Sequence, residues 1–257
     1  MFEVVIKKGV TPLLGILKEL GNIGIMFLQS IYWTFRRPFK LDYIFKQMEF
    51  IGVNSLMVVI ITGTFTGMVL ALQSYYGFRK FGAEGLVGTT VALSMTRELG
   101  PVLTSLMVTG RAGSAMAAEL GSMRVTEQID ALIVMALNPI KYLVVPRVIA
   151  SFVMFPVLTS ISNFVGIVGG YLVGVKLLGI NEGAFINKII KYLDPEDIYN
   201  GLIKAAVFGI IMSVISCYKG FYTRGGAEGV GKSTTEAVVM SSVTILITDY
   251  VLTSLMF

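Results

Sequence analysis

Five long apolar segments constrain this chain more than any other feature of its sequence. A helix needs about 20 mostly apolar residues to cross a bilayer, and each segment meets that length. Hydrophobic residues make up 54% of the chain and charged residues only 14%, against about 25% charged in ordinary soluble domains. The sequence therefore predicts an all-α integral membrane protein that forms one domain over residues 1–257. Its five transmembrane helices are expected over residues 53–76, 87–110, 147–178, 199–218 and 235–257.

The first 50 residues have a different pattern. Val10 to Phe35 is apolar but is interrupted by Lys18-Glu19, and Tyr32 and Trp33 stand near its end. Amphipathic rings of this kind favour the level of the lipid headgroups. The pattern is typical of a helix that lies in the membrane interface. We therefore predict an N-terminal interfacial amphipathic region over residues 1–50, with a sixth spanning helix as the alternative.

Lysine and arginine counts predict the orientation of the chain. Residues 1–50 hold seven, residues 111–147 hold four and residues 219–232 hold three, and all of these lie on one side of the predicted bundle. The opposite loops hold only five. Because basic residues accumulate on the cytoplasmic side, we expect a cytoplasmic N-terminus and an outer, periplasmic C-terminus.

Four ionisable residues fall inside predicted spans: Arg97, Glu98, Lys204 and Asp249. Charges are costly in lipid, so each is a candidate functional residue. At about 1.5 Å per residue, Arg97 and Glu98 lie roughly 15 Å from the outer end of their helix, and the other two lie at similar depth. Two interpretations remain open: buried salt bridges that fix helix register, or a polar cavity that opens outward and admits a charged headgroup.

Pro101 follows these charges by one turn. It lacks a backbone N–H and clashes with the preceding turn, so it predicts a kink that exposes backbone groups to the same polar site. Two spans also carry glycines at four-residue spacing, which favours close helix packing within the bundle. These glycines are Gly63 and Gly67 on the first span and Gly166, Gly170 and Gly174 on the third.

Residue types that are absent exclude several kinds of chemistry. The chain has no histidine and a single cysteine, Cys217. Histidine-based metal sites, Ser-His-Asp triads, internal disulfides and cysteine zinc sites are therefore excluded or implausible. We expect no catalytic residues, no metal and no cofactor in this chain.

A match to the phosphate-binding P-loop runs from Gly226 to Ser233. That motif binds phosphate only between a β-strand and a helix, and here it separates two predicted spans. We expect no ATP binding at this position. A glycine-rich cytoplasmic turn, with Ser233 or Thr234 capping the last helix, accounts for the same residues.

The segment Glu119 to Leu137 predicts a short amphipathic helix on the cytoplasmic side that ends at Asn138-Pro139. It is either an ordinary interfacial helix or a docking surface for a soluble partner. The polar residues that would form the docking surface are Glu119, Arg124, Glu127, Gln128 and Asp130.

Three motifs carry a family resemblance. Thr96 to Pro101, Gly110 to Ala115 and Ala118 to Leu132 closely resemble the MlaE permease family, and the similarity covers nearly the whole chain. The resemblance implies the membrane subunit of an ABC-type phospholipid transporter, as in Gram-negative bacteria and plastids. It further implies a homodimer in the bacterial inner membrane that holds lipid in an outward-open cavity.

The resemblance also implies partners and roles. A cytoplasmic ABC ATPase would bind ATP and Mg²⁺ and dock on a coupling helix at 119–137, a periplasmic MCE-domain protein would exchange lipid, and a STAS-domain subunit often joins. No nucleic-acid partner is expected. The family pattern assigns lipid handling to Arg97 and Glu98 and, less directly, to Lys204. Asp249 is added to this set because of its similar depth, and not by the resemblance.

Rival functions remain open at this stage. An ion-coupled secondary transporter could use Glu98 and Asp249, although the two halves of the chain show no repeat of the kind such carriers often have. A membrane-embedded enzyme lacks a visible nucleophile and base. A scaffold without transport would have no need of the buried charges.

Overall fold

The computed structural model describes the backbone of residues 2–36 and 41–256, with the side chains of residues 15, 17–36 and 41–256. Part of the predicted interfacial region, including Arg37-Pro38, lies outside the described residues. The described part of the chain contains helices and turns and no β-strand. The α-helices are α1 Phe2–Thr34, α2 Leu41–Ile51, α3 Leu56–Arg79, α4 Val87–Ser94, α5 Gly100–Val108, α6 Ser114–Val125, α7 Gln128–Val134, α8 Val145–Tyr171, α9 Glu182–Tyr192, α10 Pro195–Phe221 and α11 Gly226–Met256.

Four helical stretches of the described residues are long and apolar enough to cross a membrane: Leu41–Arg79, Ile140–Leu177, Pro195–Phe221 and Gly226–Met256. The predicted all-α membrane fold is confirmed in this respect. The predicted second span is helical through α4 and α5 but is not one of the four. Its charges and its many Thr, Ser and Gly residues lower its apolar character, so the count of five spans stays a prediction.

The helical path of that segment changes at two π turns, Met95–Leu99 and Thr109–Gly113. The first contains Arg97 and Glu98, and Pro101 follows it at the start of α5. A π turn widens the helix locally and is frequent at functional sites. The helix irregularity that Pro101 predicts beside the charges is therefore present, as the π turn that precedes this proline.

The glycine stripes bring α3 and α8 into close contact. A Cβ atom on Gly67 would lie 1.9 Å from the carbonyl oxygen of Gly166, and one on Gly63 would lie 2.8 Å from Ser162 Oγ. Only a residue without a side chain allows such an approach of two backbones. The predicted tight packing is thus confirmed, and these glycines bring together two helices of the same protomer.

The segment predicted as one helix over 119–137 is two helices. α6 ends at Val125 and α7 begins at Gln128. Glu127 between them has φ 60°, a left-handed conformation that interrupts a helix. Asn138 does not end this segment: its side chain accepts the N–H groups of Ile140 and Lys141 at 3.0 and 3.2 Å and so caps the next helical stretch.

The P-loop-like residues are also differently placed from the predicted turn. α11 begins at Gly226, so Ser233 and Thr234 lie inside the helix and cap nothing. The Thr234 hydroxyl donates to the Val230 carbonyl oxygen at 2.7 Å. The actual turn is the pair Gly225 and Gly226, with φ 95° and 65°, conformations that glycine adopts without strain.

α1 packs along the ends of several spanning helices. Met26 is buried with Leu120 of α6 and Cys217 and Tyr218 of α10. Lys219, near the end of α10, pairs with Glu19 of α1 and with Glu236 of α11, the latter at 2.8 Å. These contacts fix α1 against the bundle.

Candidate functional site

The candidate site lies where α10 meets the π turn Met95–Leu99. Asp197, Gly201 and Lys204 stand at positions i, i+4 and i+7 of α10, so they share one face. A Cβ atom on Gly201 would lie 2.1 Å from the Thr96 carbonyl oxygen. The absence of a side chain at Gly201 therefore brings Asp197 and Lys204 within reach of the π turn.

Lys204 is the centre of an ionic cluster that we call the Lys204 cluster: Lys204, Glu98, Asp249 and Thr253. Its Nζ atom lies 2.8 Å from both carboxylate oxygens of Glu98 and 2.7 Å from Thr253 Oγ1. Asp249 Oδ1 lies 3.5 Å away. None of the Lys204 side chain is exposed, whereas Glu98 is 36% and Asp249 20% exposed. The cluster thus has a buried cation and a partly exposed anionic edge.

The backbone contributes one further acceptor to this cluster. Lys204 Nζ donates to the carbonyl oxygen of Arg97 at 3.2 Å. In a regular α-helix that carbonyl would accept the N–H of residue 101, but Pro101 has no N–H. The proline therefore leaves the carbonyl available to the ammonium group, which confirms the predicted exposure of backbone groups beside the charges.

Arg97 makes a separate ion pair. Its Nε atom lies 2.7 Å from Asp197 Oδ1, with 37% of the Arg97 side chain and 4% of the Asp197 side chain exposed. The other oxygen, Asp197 Oδ2, accepts the N–H of Asp194 at 3.2 Å in the capping box of α10. Asp197 therefore both caps α10 and orients Arg97.

The structure thus divides the four predicted site residues. Glu98, Lys204 and Asp249 come together, while the Arg97 side chain pairs with Asp197 instead. The salt-bridge interpretation describes this geometry, and a role in binding substrate stays a prediction for all four. Sequence reasoning missed Asp197 and Thr253. Asp197 could have been found from its spacing of seven residues from Lys204, which places both on one face of the helix. Its position in the helix-capping pattern Asp-Pro-Glu-Asp offered a simpler explanation for the residue.

Four of the five predicted docking residues lie at the α6–α7 connection, and Glu119 lies within α6. Glu119, 51% exposed, accepts from the buried Arg147 of α8 at 2.6 Å. Arg124 and Asp130 pair across the helix break at 2.6 Å, while Glu127 and Gln128 are exposed at the break itself. Glu119 is thus tied to the bundle, and the other four surround the break.

Three exposed apolar side chains lie at the end of α7, next to the α6–α7 connection. Ile133, Val134 and Met135 are 55%, 87% and 60% exposed, whereas Ile129 of the same helix is fully buried. Ile129 therefore packs α7 against the rest of the protein, while Ile133, Val134 and Met135 point away from it. The apolar side chains of the predicted amphipathic helix therefore include one that is buried, Ile129, and one that is exposed, Ile133.

Among the described residues, no group of three or more Asp, Glu or Cys side chains is placed to hold a metal ion. The chemistry of the site is that of fixed charges. Such an arrangement binds and orients charged groups.

Comparison with known proteins gives a consistent result. A family model described as "Permease MlaE" matches residues 44–255. A probable ABC transporter permease protein of Rickettsia conorii is 50% identical over 93% of each chain. The intermembrane phospholipid transport system permease protein MlaE of Haemophilus influenzae is 40% identical over 93% of this chain and 92% of its own. The chloroplastic protein TRIGALACTOSYLDIACYLGLYCEROL 1 of Arabidopsis thaliana is 47% identical over 82% of this chain and 61% of its own.

Proposed function

This chain belongs to the MlaE permease family, and from that membership we propose that it is the permease subunit of an ATP-driven phospholipid transporter. It would move lipid between the bacterial inner membrane and a periplasmic MCE-domain partner. The observation that carries the proposal is the ionic site between α10 and the π turn, set in a chain whose relatives include a phospholipid transport permease.

The site supports lipid binding by its mixture of charges. Arg97 is the partly exposed cation, so it is the residue to which we assign the lipid phosphate through charge-assisted hydrogen bonds. Lys204 exposes none of its side chain, so its role is to hold Glu98, Asp249 and the π turn in place. The acyl chains would lie against the apolar walls of a cavity formed by two protomers.

Contacts of α1 support its placement in the cytoplasmic interface. Glu19, Met26 and Trp33 lie seven residues apart and contact Lys219, Tyr218 and Lys141. These three partners all lie at or next to the predicted cytoplasmic ends of α8 and α10, which supports an interfacial α1 over a sixth spanning helix. Arg36 lies 4.6 Å from the Tyr32 ring centroid, an aromatic and basic belt typical of headgroup level.

The energy would come from a cytoplasmic ABC ATPase that binds ATP and Mg²⁺. The α6–α7 connection is its docking site in this proposal, because exposed apolar side chains surround it and the Glu119–Arg147 pair links it to α8. A STAS-domain subunit would join the ATPase. The outer ends of the spans would face the MCE-domain partner.

The experiment is purification of the full chain from native membranes under mild conditions, followed by identification of co-purifying chains and lipids. We expect an ABC ATPase, an MCE-domain protein and bound phospholipid. The complex is then reconstituted, and ATP-dependent lipid transfer is measured for wild type and for Arg97→Ala and Glu98→Gln. Transport by this chain alone, driven by an ion gradient, would instead support the secondary-transporter alternative. Unchanged transfer in both variants would exclude the headgroup site.

A further inference from the structure

The Lys204 cluster contains more acid than base. Glu98 and Asp249 supply two carboxylates and Lys204 one ammonium group, so the ionised cluster carries one excess negative charge. Arg97 and Asp197 neutralise each other beside it. The site therefore presents an unbalanced negative charge together with a balanced ion pair.

The excess charge lies where a ligand can approach it. The cation is fully buried, while Glu98 and Asp249 are 36% and 20% exposed. Lys204 Nζ lies 2.8 Å from both oxygens of Glu98 but 3.5 Å from Asp249 Oδ1. The Asp249 carboxylate is therefore the more weakly compensated of the two.

We propose that this carboxylate edge binds the ammonium group of an aminophospholipid headgroup, so that the permease prefers a lipid with a terminal amine over one without it. The inference rests on the proposed function and names the headgroup class. A phosphate next to Arg97 and an ammonium group at Glu98 and Asp249 would match both charges of a zwitterionic headgroup.

The chemistry of the cluster favours an ammonium group over other cations. One excess negative charge matches a monovalent cation, and among the described residues no group of three or more acidic side chains is placed to hold a metal ion. A primary ammonium group has three N–H donors and can satisfy oxygens of both carboxylates at once. The anionic edge would at the same time repel a headgroup of net negative charge.

The test compares two lipids that differ only in the amine. Dioleoyl phosphatidylethanolamine and dioleoyl phosphatidylethanol are titrated into the purified full chain in detergent, and their dissociation constants are measured by native mass spectrometry. We expect phosphatidylethanolamine to bind about tenfold more tightly, the effect of one charge-assisted hydrogen bond. An equal concentration of free ethanolamine should displace neither lipid; displacement by ethanolamine alone would overturn the assignment to a lipid.

Variants separate the site from the fold. Asp249→Asn removes the excess charge without removing the closest partner of Lys204, and it should bring the two dissociation constants to within about twofold. Glu98→Gln is the second variant, with the same expectation. Glu196→Gln, an exposed carboxylate on the first turn of α10, should keep the full preference.

Two results would overturn the proposal. One is equal affinity of the wild type for both lipids, and the other is an unchanged preference in both cluster variants. Failure of the proposed function has a different signature, because neither lipid would then bind at all.

Discussion

Lys204 and Glu98 form an ion pair in which a fully buried ammonium group lies 2.8 Å from both oxygens of a partly exposed carboxylate. The pair joins α10 to the π turn Met95–Leu99, and the Thr253 hydroxyl of α11 accepts from Lys204 Nζ at 2.7 Å and lies 3.2 Å from Glu98 Oε1. Three helical segments are thus held at one point. Buried pairs add little net stability, but loss of one partner is costly because the other charge is left buried.

Neutralising one member should therefore destabilise the chain more than neutralising both. We expect Lys204→Met, which leaves Glu98 and Asp249 without their shared cation, to lower the free energy of unfolding by about 2 kcal/mol, because both carboxylates are partly exposed. The double variant Glu98→Gln/Lys204→Met should recover part of that loss. Unfolding of the detergent-solubilised protein measures both. Lys232→Met is the control, since Lys232 is 78% exposed, and it should change little. A double variant as unstable as the single one would contradict a charge-based origin.

Asp197 should position Arg97. Asp197→Asn removes the ionic part of a contact at 2.7 Å whose arginine is 37% exposed, so screening reduces the loss of unfolding free energy to about 1 kcal/mol. The effect on ATP-dependent lipid transfer in the reconstituted complex should be larger than the effect on stability. Glu196→Gln, one residue away and exposed, is the matched control. Normal lipid transfer in Asp197→Asn would show that Asp197 does not position Arg97 for transport.

The sequence predicted the class of fold because that class depends on local properties. Runs of apolar residues dictate helices in lipid, since every backbone group must be paired within the segment. Pro101 likewise has a local consequence, the unpaired carbonyl of Arg97, and its effect was predictable. The close approach of α3 and α8 was also predictable, because it depends on the spacing of glycines within each helix.

Pairings between distant segments were not predictable in this way. Arg97 and Glu98 are adjacent, but their partners depend on the rotation of α10 and on the widened π turn. Asp197 was hidden because it also caps a helix. The break at Glu127 was missed because amphipathic spacing continues across it, and a single residue with positive φ leaves no periodic signal.

Gly201 should be essential to the contact between α10 and the π turn. In Gly201→Ala the new methyl group would lie 2.1 Å from the Thr96 carbonyl oxygen, so the helices must separate. We expect a loss of about 2 kcal/mol, as for other overpacked sites, and a fall in lipid transfer. Gly231→Ala is the control because a Cβ atom there meets no atom within 4 Å. It should be neutral or stabilise α11 by up to about 1 kcal/mol. Equal melting temperatures for the two variants would contradict this packing.

The Glu119–Arg147 pair should respond asymmetrically to mutation. The Arg147 side chain is 4% exposed and Glu119 is 51% exposed, so water can solvate the glutamate but not the arginine. Glu119→Ala leaves a buried charge and should cost about 2 kcal/mol. Arg147→Met leaves a solvated carboxylate and should cost less. The measurement is thermal unfolding, with Glu127→Ala, which is exposed, as the control. The opposite order would show that packing of Arg147, and not its charge, dominates.

The exposed apolar end of α7 should bind the ATPase subunit. Val134 is 87% exposed, so Val134→Asp should change the stability of the isolated chain by no more than about 0.5 kcal/mol. A buried contact in the complex would make the same change costly, and we expect at least tenfold less ATPase in affinity purifications. Phe81→Asp alters a similarly exposed side chain, at 84%, in the loop at the predicted outer side. That variant should retain the ATPase. Retention by Val134→Asp would favour the alternative in which the segment is only an interfacial helix, because a charge inserted there would then affect membrane association and leave the partner bound.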